Sequence, residues 1–177
     1  MGLKRIFFLL FCGVGVFFIS CGNEPASVPQ PIYNQIDEEY KILANKEIVR
    51  QEKDKIILVA KRYGWNLEQT PTGLFYEILN TTAGSLPDVK DRVQLKGKIY
   101  LQDGTEIYND KTDGVKELIV NRSDDPVGLH ELVKLMREGE KARAIIPSYL
   151  AYGISGDGEL IPSLAFLFCE IELVKLN

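Results

Sequence analysis

Tyr152 is the residue whose neighbours give it the strongest claim to chemistry. Ahead of it Ala142, Ala144 and Ile146 alternate with Lys141, Arg143 and Ile145, the period-two pattern of a strand with one small, apolar face. Pro147 removes a backbone donor and ends that ladder, and Gly153 gives access to turn conformations closed to other residues. A sheet thus delivers a phenol to a loop at its rim. On spacing alone it reads first as a core tyrosine with its hydroxyl at the surface. Other chemistry is sparse. His130 is the sole histidine and no Cys/His cluster exists, which argues against a zinc site. The three cysteines are Cys12, Cys21 and Cys169.

The elements that position Tyr152 begin far upstream. Lys4 and Arg5 precede an apolar run from Ile6 to Ile19, followed by Ser20-Cys21. This is the charged, apolar and small-residue order of an export leader, too short to span a bilayer comfortably. Residues 1–20 are therefore expected to be a signal peptide. Ile19-Ser20-Cys21 resembles a bacterial lipoprotein junction, in which Cys21 is acylated and holds the chain on a membrane. Cys12 then leaves with the leader and Cys21 is consumed by lipid, so Cys169 has no disulfide partner. The chain carries 21 Lys and Arg against 25 Asp and Glu, and losing Lys4 and Arg5 deepens the deficit. That argues against nucleic acid as a partner.

Residues 21–33 hold Pro25, Pro29 and Pro31 among polar residues and read as a tether. Residues 34–66 form a helical arm, with Ile36, Tyr40, Leu43, Ile48, Ile56, Val59, Ala60 and Tyr63 at steps of three and four. Around residues 50–55 the stripe is almost wholly charged, so a bend or an exposed stretch is expected there. The arm either packs on the domain or binds a partner, such as a second copy. After a linker, residues 73–177 read as one α+β domain, an antiparallel sheet half-wrapped around one short helix. Strands are expected from Leu74 to Leu79, Val93 to Leu101, Glu117 to Val120 and Leu164 to Leu176, with Asp103-Gly104 closing a hairpin. Leu129, Leu132, Val133 and Met136 mark the helix. Phe166 and Phe168 point away from the inner face, beside Tyr100, and need a cover.

Specific residues now meet this order. Gly73-Leu74-Phe75-Tyr76, Asp103-Gly104-Thr105, Gly128-Leu129, Leu135-Met136-Arg137-Glu138-Gly139-Glu140-Lys141-Ala142, Ile146-Pro147-Ser148, Ala151-Tyr152-Gly153, Ile161-Pro162 and Ala165-Phe166-Leu167 resemble the FKBP-type peptidyl-prolyl isomerases. The helical arm on a lipoprotein resembles exported bacterial members, including the gliding-motility-associated isomerase lipoproteins of Bacteroidetes. The resemblance implies an enzyme of proline-containing polypeptides that uses no cofactor and no metal. It implies Tyr152 as donor to a substrate carbonyl, Ile161 and Ile107 as walls and Leu129 as floor. Tyr108, Pro126, Val127, Cys169 and Leu118 would complete the pocket. Against the family pattern, Tyr108 replaces a buried Asp, Gly97 a wall Tyr, Lys116 a Phe and Cys169 another aromatic. Asp125-Pro126 replaces an apolar pair whose second residue offers a backbone N–H, which proline lacks unless Val127 takes over.

Two functions follow. One is an envelope prolyl isomerase, lipid-anchored and facing the periplasm. The other is a non-catalytic binding or assembly module of an envelope complex such as gliding machinery.

Overall fold

A computed structural model describes the backbone of residues 30–177 and the side chains of residues 41–177. The expected signal peptide, Cys21 and the first part of the expected tether lie outside the described residues. Helix α1 spans Gln30–Tyr63, so residues 30–33, expected in the tether, are helical. The part of α1 from Lys41 onward belongs to the same compact unit as the rest of the chain.

The strands are β1 (Glu68–Gln69), β2 (Phe75–Ile78), β3 (Arg92–Tyr100), β4 (Glu106–Asn109), β5 (Lys116–Ile119), β6 (Lys141–Ile146) and β7 (Leu167–Leu176). One turn of helix, α2 (Asp110–Asp113), follows β4, and α3 (Val127–Leu135) precedes β6. All pairings are antiparallel, in the order β1-β2-β6-β7-β3-β4, with β5 pairing the first half of β3. Two boundaries differ from expectation. The stretch read as a linker contains β1, held by Glu68 opposite Tyr76 and Gln69 opposite Phe75. The last strand starts at Leu167 rather than Leu164, because Leu164 adopts a φ of 57° that no strand allows.

Alternation gives the sheet two apolar faces. Leu74, Val93, Leu95, Ala142, Ala144, Ile146, Leu167, Cys169, Ile171 and Leu173 share the inner core with Leu129, Leu132 and Val133 of α3 and with Met136, the residue after it. Leu129, Leu132, Val133 and Met136 recur at one-turn spacing and none is exposed to solvent. The outer face is covered by the arm: Ile56, Val59 and Ala60 of α1 pack with Phe75, Ile145, Phe166 and Phe168. Phe168 is fully buried there, stacked on Tyr100 at 5.1 Å and edge-on to Trp65 at 5.8 Å. The cover that the outward phenylalanines require is thus the chain's own helix. The charged stretch of α1 does not simply face water, since Glu52 is buried with only 7% of its surface exposed.

Candidate functional site

Tyr152 reaches its position through a short relay. β6 ends at Ile146, Pro147 breaks the ladder, and Ser148–Leu150 turn once as a 3-10 helix. The Ser148 carbonyl accepts the N–H groups of Ala151 at 2.9 Å and Gly153 at 2.8 Å, which brackets Tyr152. The Gly153 carbonyl in turn accepts the Leu164 N–H at 2.9 Å, closing the loop of residues 153–164 on itself. Within that loop Asp157 accepts the N–H groups of Glu159 at 2.9 Å and Ile161 at 2.7 Å. Those backbone bonds hold its carboxyl below the ordinary aspartate range.

The ring of Tyr152 is half-buried against the inner core, and its hydroxyl has no hydrogen-bond partner among the described residues. Burial raises its pKa, and the nearby charges of Asp125 and Asp157 raise it further. Both effects keep the phenol neutral, with its proton available to an acceptor.

Of the residues expected around Tyr152, Ile107, Tyr108, Leu118, Leu129, Ile161 and Cys169 share one apolar cluster with it, and Pro126 and Val127 do not belong to it. Ile107 and Tyr108 are half-buried on β4, and Ile161 is 3% exposed under the loop. Leu129, Leu118 and Cys169 are fully buried. The floor is therefore closed: neither Leu129 nor Cys169 presents surface to solvent. Burial alone pushes the Cys169 thiol up to about 12, so it stays protonated. Pro126 is buried as the residue before α3, and Val127 is exposed beside it. As the first residue of α3, Val127 has no intrahelical acceptor for its N–H.

Three substitutions of the family pattern have worked-out partners. Lys116 pairs with Asp125 at 2.7 Å, both largely shielded, and its ammonium lies 5.8 Å from the Tyr108 ring centre. Asp125 also accepts the Ser123 hydroxyl at 2.7 Å. The expected aromatic and apolar wall is thus replaced by an ion pair whose acid sits near Tyr152. Tyr108 does not aim its hydroxyl at a ligand, because that oxygen donates to the Gly114 carbonyl at 2.8 Å and accepts the Lys116 N–H at 3.0 Å. Gly97 has a φ of 119°, and its N–H donates to Asp110 at 3.0 Å. A Cβ there would stand 2.0 Å from the Glu170 carbonyl oxygen.

Sequence reasoning missed two supports. His130 is buried, accepts the Asn121 N–H on Nδ1 at 3.1 Å and so presents its Nε2 proton to the Ser123 carbonyl at 3.1 Å. It pins the loop that carries Asp125 and Pro126. Glu52 bonds Ser148, and only a tertiary contact reveals it.

Comparison with known proteins agrees with this arrangement. The chain is 25% identical to a macrophage infectivity potentiator of Trypanosoma cruzi over 96% of its own length and 83% of that protein. It is 31% identical to FkpA of Aeromonas hydrophila, an FKBP-type isomerase, over 88% of its length but 58% of that protein. With a 22 kDa FKBP-type isomerase of Escherichia coli the identity is 33%, over 66% of this chain and 55% of that one. The chain thus spans little more than half of these last two relatives. Among solved structures, FkpA of Escherichia coli superposes with a TM-score of 0.58 at 22% identity, covering 86% of this chain and 74% of that one. A peptidyl-prolyl isomerase of Pseudomonas syringae superposes with a TM-score of 0.61 at 23% identity, covering 75% and 95%. Residues 84–174 match the FKBP-type peptidyl-prolyl cis-trans isomerase model. With the half-wrapped sheet, the single helix on its inner face and a tyrosine loop following the β6 strand, these matches establish that the chain belongs to the FKBP-type peptidyl-prolyl cis-trans isomerases.

Proposed function

We propose that this chain catalyses cis–trans isomerisation of X–Pro bonds in polypeptides at the site around Tyr152. The observation that supports it best is the Tyr152 hydroxyl, kept neutral by its surroundings and without a partner among the described residues. X–Pro rotation faces a barrier of roughly 18–20 kcal/mol because amide resonance is lost midway. The twisted amide is less polar than the planar one, so an apolar site favours it relative to water. Tyr152 would hold a flanking carbonyl while Ile161 and Ile107 form the walls and Leu129 the floor. Tyr108, Leu118, Cys169, Pro126 and Val127 border them. No nucleophile, metal or cofactor enters this scheme.

The lipoprotein-like junction supports attachment to the bacterial envelope through lipid on Cys21, on the periplasmic side. Cys21→Ala should then leave an unacylated precursor; unchanged mass and membrane fractionation would refute the anchor. Ile42, Ile48 and Val49 of α1 are exposed apolar residues. They support pairing of two copies through the helix, which light scattering of the purified protein tests.

The closed floor and the Lys116–Asp125 pair favour a second reading, a non-catalytic FKBP-like module that binds or assembles envelope proteins, gliding machinery among them. A protease-free isomerisation assay on a proline tetrapeptide separates the two. A rate above the spontaneous one supports the enzyme, and a spontaneous rate at high protein concentration supports the module.

A further inference from the structure

Buried carboxylates need partners, and Glu52 finds both of its partners in one residue. Its side chain leaves α1 toward the sheet. Oε1 accepts the Ser148 N–H at 2.6 Å and Oε2 accepts the Ser148 hydroxyl at 2.9 Å, across 96 residues of sequence. Ser148 opens the 3-10 turn, and the residue before it, Pro147, supplies no side-chain cap. The first N–H of that turn would otherwise be an orphan donor in a buried place. The carboxylate of α1 caps it from outside.

The same serine governs the backbone on both sides of Tyr152. Its carbonyl holds Ala151 and Gly153, and the Gly153 carbonyl holds Leu164. Glu52 also lines a cavity of about 150 Å³ with Leu164 and Phe166, where the loop returns to β7. One side chain of the arm therefore touches the start of the tyrosine loop and flanks its end.

We infer that Glu52 is a positioning residue for the site: its paired bonds to Ser148 fix the tyrosine loop, so docking of α1 sets where the Tyr152 hydroxyl stands. A carboxylate suits the task because Ser148 presents two donors side by side and each Glu52 oxygen accepts one. Glu52→Leu removes both acceptors, whereas Glu52→Gln can keep both contacts, since the Ser148 hydroxyl rotates to accept from an amide. The inference rests on the isomerase reading for its kinetic readout only.

The test uses the protein labelled with 3-fluorotyrosine and followed by fluorine NMR, with the Tyr152 resonance assigned by its loss in Tyr152→Phe. Glu52→Leu should shift or broaden that resonance and lower kcat/KM roughly tenfold, the weight of one charge-assisted hydrogen bond. Ser148→Ala, which removes only the hydroxyl contact, should move the same resonance less. Leu173→Ala, at the far end of β7, should lower Tm while leaving the resonance in place. If the wild type shows no isomerisation yet Glu52→Leu moves the resonance, the coupling stands and the isomerase reading falls. If folded Glu52→Leu and Ser148→Ala both leave the resonance where it was, Glu52 serves helix docking alone and the inference is wrong.

Discussion

Replacing Tyr152 by Phe separates function from stability at a single atom. In most buried sites Tyr→Phe removes an internal hydrogen bond and both quantities fall. Here the hydroxyl makes no such bond among the described residues, so no intramolecular partner is stranded. Its neighbours add nothing to lose, because Asp125 and Asp157 act on it through their charge alone. The expected stability change is that of a substitution without special features, within about 0.5 kcal/mol. For a chain of this size that is a Tm shift of roughly 2 °C or less. A substrate carbonyl, by contrast, loses one neutral hydrogen bond of about 0.5–1.5 kcal/mol. At RT of about 0.59 kcal/mol this lowers kcat/KM roughly 2- to 13-fold. The pH dependence has a fixed sign. The raised pKa keeps the donor protonated through neutrality, so the wild-type advantage over Phe should persist up to the ordinary tyrosine range, about pH 10, and vanish only above it. The measurements are the tetrapeptide isomerisation rate and a thermal melt on the same samples. Equal kcat/KM in the two proteins, or a Tm drop of more than about 5 °C, would refute the reasoning.

Three further outcomes are expected. Leu129→Ala removes a fully buried floor residue and should cost about 2–5 kcal/mol of stability, read by urea unfolding. Phe168→Asp places a charge among Tyr100, Trp65 and Phe166, and should release α1 or unfold the chain, seen as a change in Trp65 fluorescence together with lost helical circular dichroism. With Cys12 and Cys21 replaced by Ser, Cys169 should react with a thiol reagent only at the rate of unfolding, because it is fully buried. Its folded pKa lies above the unfolded one, so its contribution to stability is complete below about pH 8.5 and is lost as pH rises toward about 12. Fast labelling of the folded protein at neutral pH would show that the floor is open.

The alternation in β6 and the three- and four-step spacing in α3 made the inner core readable, because each face of a strand or helix repeats with a fixed period. The outward phenylalanines likewise announced a cover, although only packing chose the chain's own arm over a partner. The departures at Lys116 and Asp125 were visible one at a time. Their pairing was not, since it depends on where β5 and the loop before α3 meet in space. The hydroxyl of Tyr108 was hidden for a similar reason, because the surrounding backbone supplies the partners that take it. Glu52 was the deepest concealment. Nothing in a run of charges at residues 50–55 marks the one that turns inward, and a contact across 96 residues leaves no local trace.

The backbone at Gly97 limits how the pocket can be rebuilt. Its φ of 119° and the Glu170 carbonyl pressed against it leave no room for any side chain. The resemblance places an aromatic wall at that position, and installing one here demands more than a single substitution. The β7 strand would have to retreat and Asp110 would have to release the Gly97 N–H before a larger residue became tolerable. A single substitution at Gly97 therefore meets the Glu170 carbonyl before it can build a wall, and contacts to a ligand fall to the residues on the other sides of the pocket.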